Sequence, residues 1–193
     1  MMDVTDLIVR TAGWLILAGI LVFFTGAAFG VPQVFVTRTP EARLALLRSR
    51  AGAWRTAQWF YAGGPVITGV GVLVLATAWS GPTQLLAGSA GGAMLAGAVL
   101  FSVSCARRGH RIEEFARGEL PAGPWLGYVW LTLVGLALLG LASLEYETWI
   151  GVLLLVAAAA YTALFVSTRD IPPFAFYLVL AVYAGWILVA TPH

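Results

Sequence analysis

Residues 148–167, TWIGVLLLVAAAAYTALFVS, contain no charged side chain and are bounded by Glu147 on one side and the Thr168-Arg169 pair on the other. A helix needs about 20 mostly apolar residues to cross roughly 30 Å of hydrocarbon. The stretch also lacks the strict alternation of apolar and polar residues that marks a barrel strand. It therefore predicts a membrane-spanning helix.

Five further stretches of the same kind accompany it along the chain. The six predicted spans are 7–30, 58–79, 84–105, 124–143, 148–167 and 172–191. Backbone groups in lipid must hydrogen-bond within a helix or a closed barrel, so all six are interpreted as helices. The predicted fold class is all-α: a polytopic membrane protein with six transmembrane helices in one bundle, residues 1–193 forming a single transmembrane domain.

The composition of the whole chain agrees with this architecture. Hydrophobic residues make up 60% of the 193 residues, charged residues make up 10%, and the mean hydropathy is +0.88. These values exclude an ordinary soluble domain and a disordered chain, which has low hydrophobicity and high net charge. The formal net charge is only +2, and no basic, aromatic-rich soluble module is present, so nucleic acid is not an expected partner.

Several cofactor chemistries lack the residues that they require. All 11 basic residues are arginines, and without lysine no retinal or pyridoxal Schiff base can form. Cys105 is the single cysteine, which excludes an internal disulfide and a CxxC pair. His110 and His193 lie outside the apolar stretches, so no paired histidines hold a haem inside the bundle. We predict no catalytic residue, no cofactor and no metal site.

Arginines are confined to alternate connections. They are Arg38, Arg43, Arg48, Arg50 and Arg55 in the first, Arg107, Arg108, Arg111 and Arg117 in the third, and Arg169 in the fifth. Short cytoplasmic loops accumulate arginine, so the pattern places the odd connections in the cytoplasm and both termini outside, with Arg10 as the exception. The first helix is expected to be retained, because the residues before it are acidic rather than basic as in a signal peptide.

The first connection predicts an amphipathic helix over residues 40–51. Thr39 is a suitable N-cap and Pro40 suits the first helical turn. At 100° per residue the side chains of Leu44, Leu47, Ala51 and Trp54 form one apolar stripe. The flanking arginines predicted to contact anionic lipid headgroups from the membrane surface are Arg43, Arg48, Arg50 and Arg55. Two alternatives stay open: the stripe packs on the bundle or on a partner, or the arginines form a specific anion or lipid site.

Small residues predict close contacts between helices. Gly26 with Gly30, and Gly88 with Gly92, have the GxxxG spacing that lets two helix backbones approach. These contacts lie either inside the bundle or between subunits. The sequence Gly63-Gly64-Pro65 predicts a kink in the second span.

The polar residues offer little chemistry. His110, Glu113 and Glu114 could share a helical face and ligate a metal, but an ion pair between Glu113 and Arg117 on a short solvated helix is the simpler interpretation. Asp170 is expected to cap the last helix.

Most polar groups within the spans are hydroxyls, and Gln58 adds an amide. No Asp, Glu, His or Arg lies deep in a span, which argues against a proton-coupled carrier of polar solutes. The Ser, Thr and Tyr hydroxyls are expected to hydrogen-bond between helices.

Three segments together carry a resemblance. They are Thr39-Pro40-Glu41-Ala42-Arg43, Ala53-Trp54-Arg55 and Asp170-Ile171-Pro172-Pro173-Phe174. With the arginine-rich first connection, they resemble a group of bacterial six-helix integral membrane proteins of unknown function. The resemblance implies this fold and a place in the bacterial cytoplasmic (inner) membrane, and it implies no activity.

These features favour a non-catalytic membrane protein, an accessory or scaffold subunit of a larger membrane assembly. The alternative is a binder or transporter of a small hydrophobic molecule, such as a lipid, quinone or pigment, that uses the aromatic-rich helices and the kink after Gly63. A membrane enzyme is a third hypothesis, and it requires a catalytic cluster around His110, Glu113 and Glu114. The expected partners are membrane lipids with anionic headgroups, and other membrane subunits or further copies of the chain.

Overall fold

A computed structural model describes residues 4–190, and within them it contains helices and no strand. The helices are α1 (Val4–Phe29), α2 (Gln33–Val36), α3 (Pro40–Ser49), α4 (Ala51–Ala76), α5 (Gly81–His110), α6 (Ile112–Arg117), α7 (Gly123–Ser143), α8 (Thr148–Thr168) and α9 (Phe174–Ala190). The predicted all-α class is therefore confirmed.

Five helices are long and apolar enough to cross a membrane: α1, α4, α5, α7 and α8. They indicate a multi-pass membrane protein. The sixth predicted span corresponds to α9, which has 17 residues and is about 25 Å long at 1.5 Å per residue. The count of six spans stays a prediction. Asp3, Thr191 and His193 lie outside the described residues.

The long helices follow one another around the bundle in the order α9, α1, α4, α5, α7, α8. The first and third connections meet at one end, where Arg48 pairs with Glu113 at 3.1 Å. The fifth joins them, because Asp170 interacts electrostatically with Arg108. We call this the arginine-rich end. Which side of a membrane it faces stays a prediction.

The second and fourth connections meet at the opposite end of the bundle. Thr83 at the start of α5 donates a hydrogen bond to Glu145. The Trp79 ring stacks on Tyr146 with 4.7 Å between the ring centroids. The odd-numbered connections thus lie at one end of the bundle and the even-numbered ones at the other, as the arginine pattern predicts.

Glycines bring α1 and α4 into backbone contact. A Cβ added at Gly19 would lie 2.6 Å from the carbonyl oxygen of Gly64, and one added at Gly71 would lie 2.9 Å from the backbone nitrogen of Ile16. Towards the arginine-rich end, a Cβ on Gly26 would lie 2.9 Å from the Cβ of Phe60, and one on Gly30 3.3 Å from the Tyr61 hydroxyl. Side chains larger than hydrogen would separate these helices.

The helix boundaries at the arginine-rich end differ from the predicted ones. The expected helix over residues 40–51 ends at Ser49, because Arg50 leaves the helical conformation (φ −126°, ψ 31°) and α4 begins at Ala51. The sequence predicts that the second span begins at residue 58, whereas α4 begins at Ala51. It predicts that the third span ends at residue 105, whereas α5 continues to His110. Arginine is a good helix former, so these helices continue past the point where charge interrupts the apolar stretch.

Of two local predictions, the first holds only in part and the second is wrong. Most Ser and Thr hydroxyls in the spans donate to a carbonyl of their own helix, as Ser102 does to Ala98 at 2.8 Å and Thr68 to Gly64 at 3.0 Å, because that acceptor is always within reach. Two hydroxyls do link helices as expected: Ser143 lies 3.3 Å from the Tyr183 hydroxyl, and Tyr161 of α8 donates to the Ala175 carbonyl of α9 at 2.9 Å. Asp170 does not cap α9, which begins at Phe174.

A pair of glycine substitutions tests the packing of α1 on α4. Gly19→Ala is expected to lower the thermal unfolding midpoint in mild detergent by about 3–10 °C, since overpacking costs about 1–3 kcal/mol. Gly185→Ala on α9 is the control, because no atom lies within 4 Å of a Cβ at that position. It should leave the midpoint unchanged or slightly higher. Equal midpoints for the two variants would contradict the described contact.

Candidate functional site: a groove between α4 and α5

The short helices α2, α3 and α6 lie over the arginine-rich end, and we call them the cap. The cap has a small core of its own, made of Val31, Val34, Leu47, Trp54 and Ala116. Leu47 and Trp54, from the predicted apolar stripe, have no exposed surface. The Trp54 ring stacks on Phe115 of α6 with 5.1 Å between the centroids. Both residues therefore contact the protein, which is one of the alternatives that the sequence left open.

Three of the four arginines predicted to contact headgroups have partners within the protein. Arg43 donates to the carbonyls of Thr37 at 2.9 Å and Ala116 at 3.1 Å, and so ties the start of α3 to α6. Arg48 pairs with Glu113. Arg55 donates through Nε to the Gly109 carbonyl at 3.4 Å. The remaining arginine of the set, Arg50, is exposed at the break between α3 and α4.

The ion pairs of α6 are not the expected ones. Glu113 pairs with Arg48 of α3 rather than with Arg117, because α3 lies beside α6. Arg117 pairs with Glu119 at 3.0 Å. The hydrogen bond from Arg48 holds the pKa of Glu113 below its usual range. Glu114 pairs with Arg111 at 3.3 Å, and residues 4–190 contain no group of three His, Cys, Asp or Glu side chains placed to hold a metal ion.

Below the cap, α4 and α5 enclose a groove of about 380 Å³. Its lining residues are Arg55, Gln58, Trp59, Ala62, Gly63, Val66, Ile67, Ser102, Cys105, Ala106, Gly109 and His110. Trp59 and Ala106 are exposed on its rim, so the groove opens on the outer surface of the bundle.

The two ends of the groove differ in chemistry. Arg55, Gln58 and His110 lie at the arginine-rich end, whereas Val66 and Ile67 lie two to three helical turns further along α4. The groove is thus polar at one end and apolar along most of its length. This distribution of polar and apolar lining matches an amphiphile, a molecule with a polar headgroup and an apolar tail.

Gln58 is the residue of the groove that most needs a partner. Only 5% of its surface is exposed, and its Oε1 has no hydrogen-bond donor among the described residues. A buried acceptor without a donor costs about 1–3 kcal/mol, and such groups in a native structure call for an explanation such as an absent water or ligand. Gln58 lines the groove, and its last side-chain torsion is soft, so a hydrogen-bond donor in the groove can draw this oxygen towards it.

A second cavity of about 20 Å³ lies in the middle of the bundle. The polar residues among those around it are Thr68, Tyr128, Thr132 and Tyr177. This volume holds about one water molecule, so the cavity is too small for an organic ligand. A third, of about 390 Å³, includes Thr5 and Ala190 in its lining. It adjoins both ends of the described chain, so its extent is not defined by residues 4–190.

Gly88 and Gly92 have no contact to explain their spacing. No atom lies within 4 Å of a Cβ added at either position, and Gly92 is exposed on the outer face of α5. Gly91, one residue away, instead packs against Leu73 of α4. Within residues 4–190 the close approach that this motif predicts therefore has no partner helix.

The sequence did not indicate a groove between α4 and α5, although Gly63, where the kink for a ligand binder was predicted, belongs to its lining. In the sequence, Gln58 is only an amide at the start of a predicted span, as Gln84 is in the next one. The opposing surface is formed by Ala106 and Gly109, which belong to a part of α5 predicted to be a loop. A signal was available in the small residues that line the groove, Ala62 and Gly63 on α4 and Ala106 and Gly109 on α5, since small side chains leave space between packed helices.

Comparison with protein-family models, with curated proteins and with solved structures finds no match to this chain.

The link between Arg43 and α6 is testable by hydrogen exchange. Arg43→Lys is expected to speed amide exchange in α6 by about tenfold or more, because one ammonium group replaces a fork that bridges two carbonyls. Arg50→Lys is the matched control and should leave the exchange in α6 unchanged. If both variants exchange at the wild-type rate, Arg43 does not hold the cap closed.

Proposed function

We propose that this chain is a non-catalytic integral membrane protein that binds a small amphiphile, a lipid or a quinone, in the groove between α4 and α5. The observation that carries the proposal is the change from a polar to an apolar lining along one open groove. Arg55 and Gln58 form the polar end, and Val66 and Ile67 belong to the apolar part.

The dimensions of the groove suit a membrane amphiphile. Arg55 and Ile67 are twelve residues apart on α4, which corresponds to about 18 Å along the helix axis. This is more than half of the roughly 30 Å of hydrocarbon in a bilayer. A tail along the apolar part replaces one apolar contact by another, while the headgroup reaches the polar end.

The rim of the groove supports entry from the lipid phase. The Trp59 side chain is 76% exposed and Ala106 is exposed on the opposite helix. Tryptophan favours the membrane interface because its ring is apolar and its N–H is polar. A molecule dissolved in the bilayer can therefore reach the groove without passing through the bundle.

The nucleophiles in the groove favour binding over catalysis. Cys105 is 1% exposed, and buried cysteines in apolar surroundings are inert. The Ser102 hydroxyl donates to the Ala98 carbonyl rather than to a general base. An activated nucleophile requires a base or a lowered pKa and access to substrate, and neither residue is placed in that way.

Filling the groove tests the proposal. The full chain is purified in mild detergent, and the copurified lipids and quinones are extracted and quantified per protein by mass spectrometry. Ala106→Phe should reduce the retained amphiphile roughly tenfold, equivalent to about 1.4 kcal/mol, because the ring occupies the groove.

Ala163→Phe is the matched control for this variant. Ala163 is an exposed alanine near the arginine-rich end of α8, and it does not belong to the groove. Its replacement should leave retention at the wild-type level. Equal retention by wild type and both variants would contradict the proposal.

A second candidate function is that of an accessory subunit of a membrane assembly. The observation in its favour is the open Gly88 and Gly92 pair on α5, because this spacing commonly serves contact between membrane helices. The two candidates are compatible, since the glycine pair lies outside the lining of the groove.

Native mass spectrometry of protein isolated from its own membrane tests the second candidate. Gly92→Leu is expected to remove a partner or a second copy that the wild type retains at fixed stoichiometry. Gly185→Leu on α9, another glycine with open space around it, is the control. A wild-type protein that is always monomeric would contradict this candidate.

A further inference from the structure

The polar end of the groove has a net positive character. Arg55 and His110 line it, and no carboxylate is found among the described residues of its lining. The three ion pairs within residues 4–190 all involve other arginines. Arg55 uses Nε for the Gly109 carbonyl, which leaves the two terminal nitrogens of its guanidinium group for a ligand. Guanidinium groups bind phosphate through such paired N–H donors.

Gln58 adds a second and different requirement. Its unpartnered atom is a carbonyl oxygen, which accepts hydrogen bonds and cannot donate them. A phosphate diester only accepts hydrogen bonds, so phosphate at Arg55 can accept from the Gln58 amide nitrogen but does not satisfy its carbonyl oxygen. A ligand group that pairs with this oxygen must carry a donor.

A hydroxyl fits this donor role better than an ammonium group. An ammonium group so close to Arg55 would be repelled by the guanidinium charge and would find no carboxylate in the described lining. A hydroxyl carries a donor without charge. Quinones bring neither an anion for Arg55 nor, in the oxidised form, a donor for Gln58.

We propose that the groove selects a phospholipid whose headgroup joins a phosphate to a hydroxyl, with Arg55 binding the phosphate and the Gln58 carbonyl oxygen accepting from the hydroxyl. The inference rests on the proposed binding function and names its ligand class. The acyl chain lies along Ala62, Val66 and Ile67.

Three lipids with the same acyl chains separate the two contacts on the wild-type protein. Phosphatidylglycerol has the phosphate and the hydroxyl, phosphatidylmethanol has the phosphate and the same charge without the hydroxyl, and phosphatidylcholine is zwitterionic. We expect affinities measured by native mass spectrometry to fall in that order, by about threefold to tenfold at each step.

Two variants assign the contacts to residues. Arg55→Gln should remove the preference for phosphatidylmethanol over phosphatidylcholine, with Arg50→Gln as a control outside the groove. Gln58→Leu should remove the preference for phosphatidylglycerol over phosphatidylmethanol, with Gln84→Leu, an exposed position on α5, as its control. The comparison of lipids on the wild type does not depend on these variants folding.

The outcomes distinguish this inference from the proposed function. If all three lipids bind equally and Ala106→Phe still weakens binding, the groove binds amphiphiles without the inferred selection. If no lipid is displaced by Ala106→Phe, the proposed function fails as well. Displacement of phosphatidylglycerol by millimolar inorganic phosphate would overturn the inference, because the site would then recognise a free anion rather than a lipid.

Discussion

The backbone contact between α1 and α4 is the constraint on which the rest of the structure depends. Gly19 and Gly64 let the two helices approach until a single added carbon would collide with the opposite carbonyl. In a membrane such contacts matter because lipid tails are as apolar as leucine side chains, so packing and hydrogen bonds rather than the hydrophobic effect hold helices together. One side of α4 is fixed on α1, and its other side is available to α5 and to the groove.

The cap and the groove share one end of the bundle, and their chemistry is connected through α5. Trp54 donates to the Arg108 carbonyl at 2.9 Å, and the Arg108 guanidinium lies 5.6 Å from the centroid of the Trp125 ring and 5.8 Å from that of Phe115. Aromatic rings thus surround this arginine, whereas Arg55 lies in the groove. The same residue type supports the fold at one position and, in the proposed function, supplies a binding group at the other.

The sequence predicted the helical class and the positions of five long helices, because apolar length is a property of the chain itself. It misplaced the helix ends near Arg50 and His110, since charge ends an apolar stretch without ending a helix. It also paired Glu113 with Arg117, its neighbour on α6, where the structure pairs it with Arg48, 65 residues away. The groove escaped prediction for the same reason: it depends on which face of α4 meets which face of α5, and no local pattern encodes that meeting.

The central claim is that all the arginine-rich connections lie on one side of the membrane, which places the polar end of the groove at that interface. Its most direct test is labelling of sealed vesicles with a membrane-impermeant thiol reagent, using Arg48→Cys, Arg111→Cys and Glu147→Cys one at a time in a Cys105→Ser background. The account predicts that positions 48 and 111 react from the same side and position 147 from the other. Reaction of positions 48 and 111 from opposite sides would contradict it.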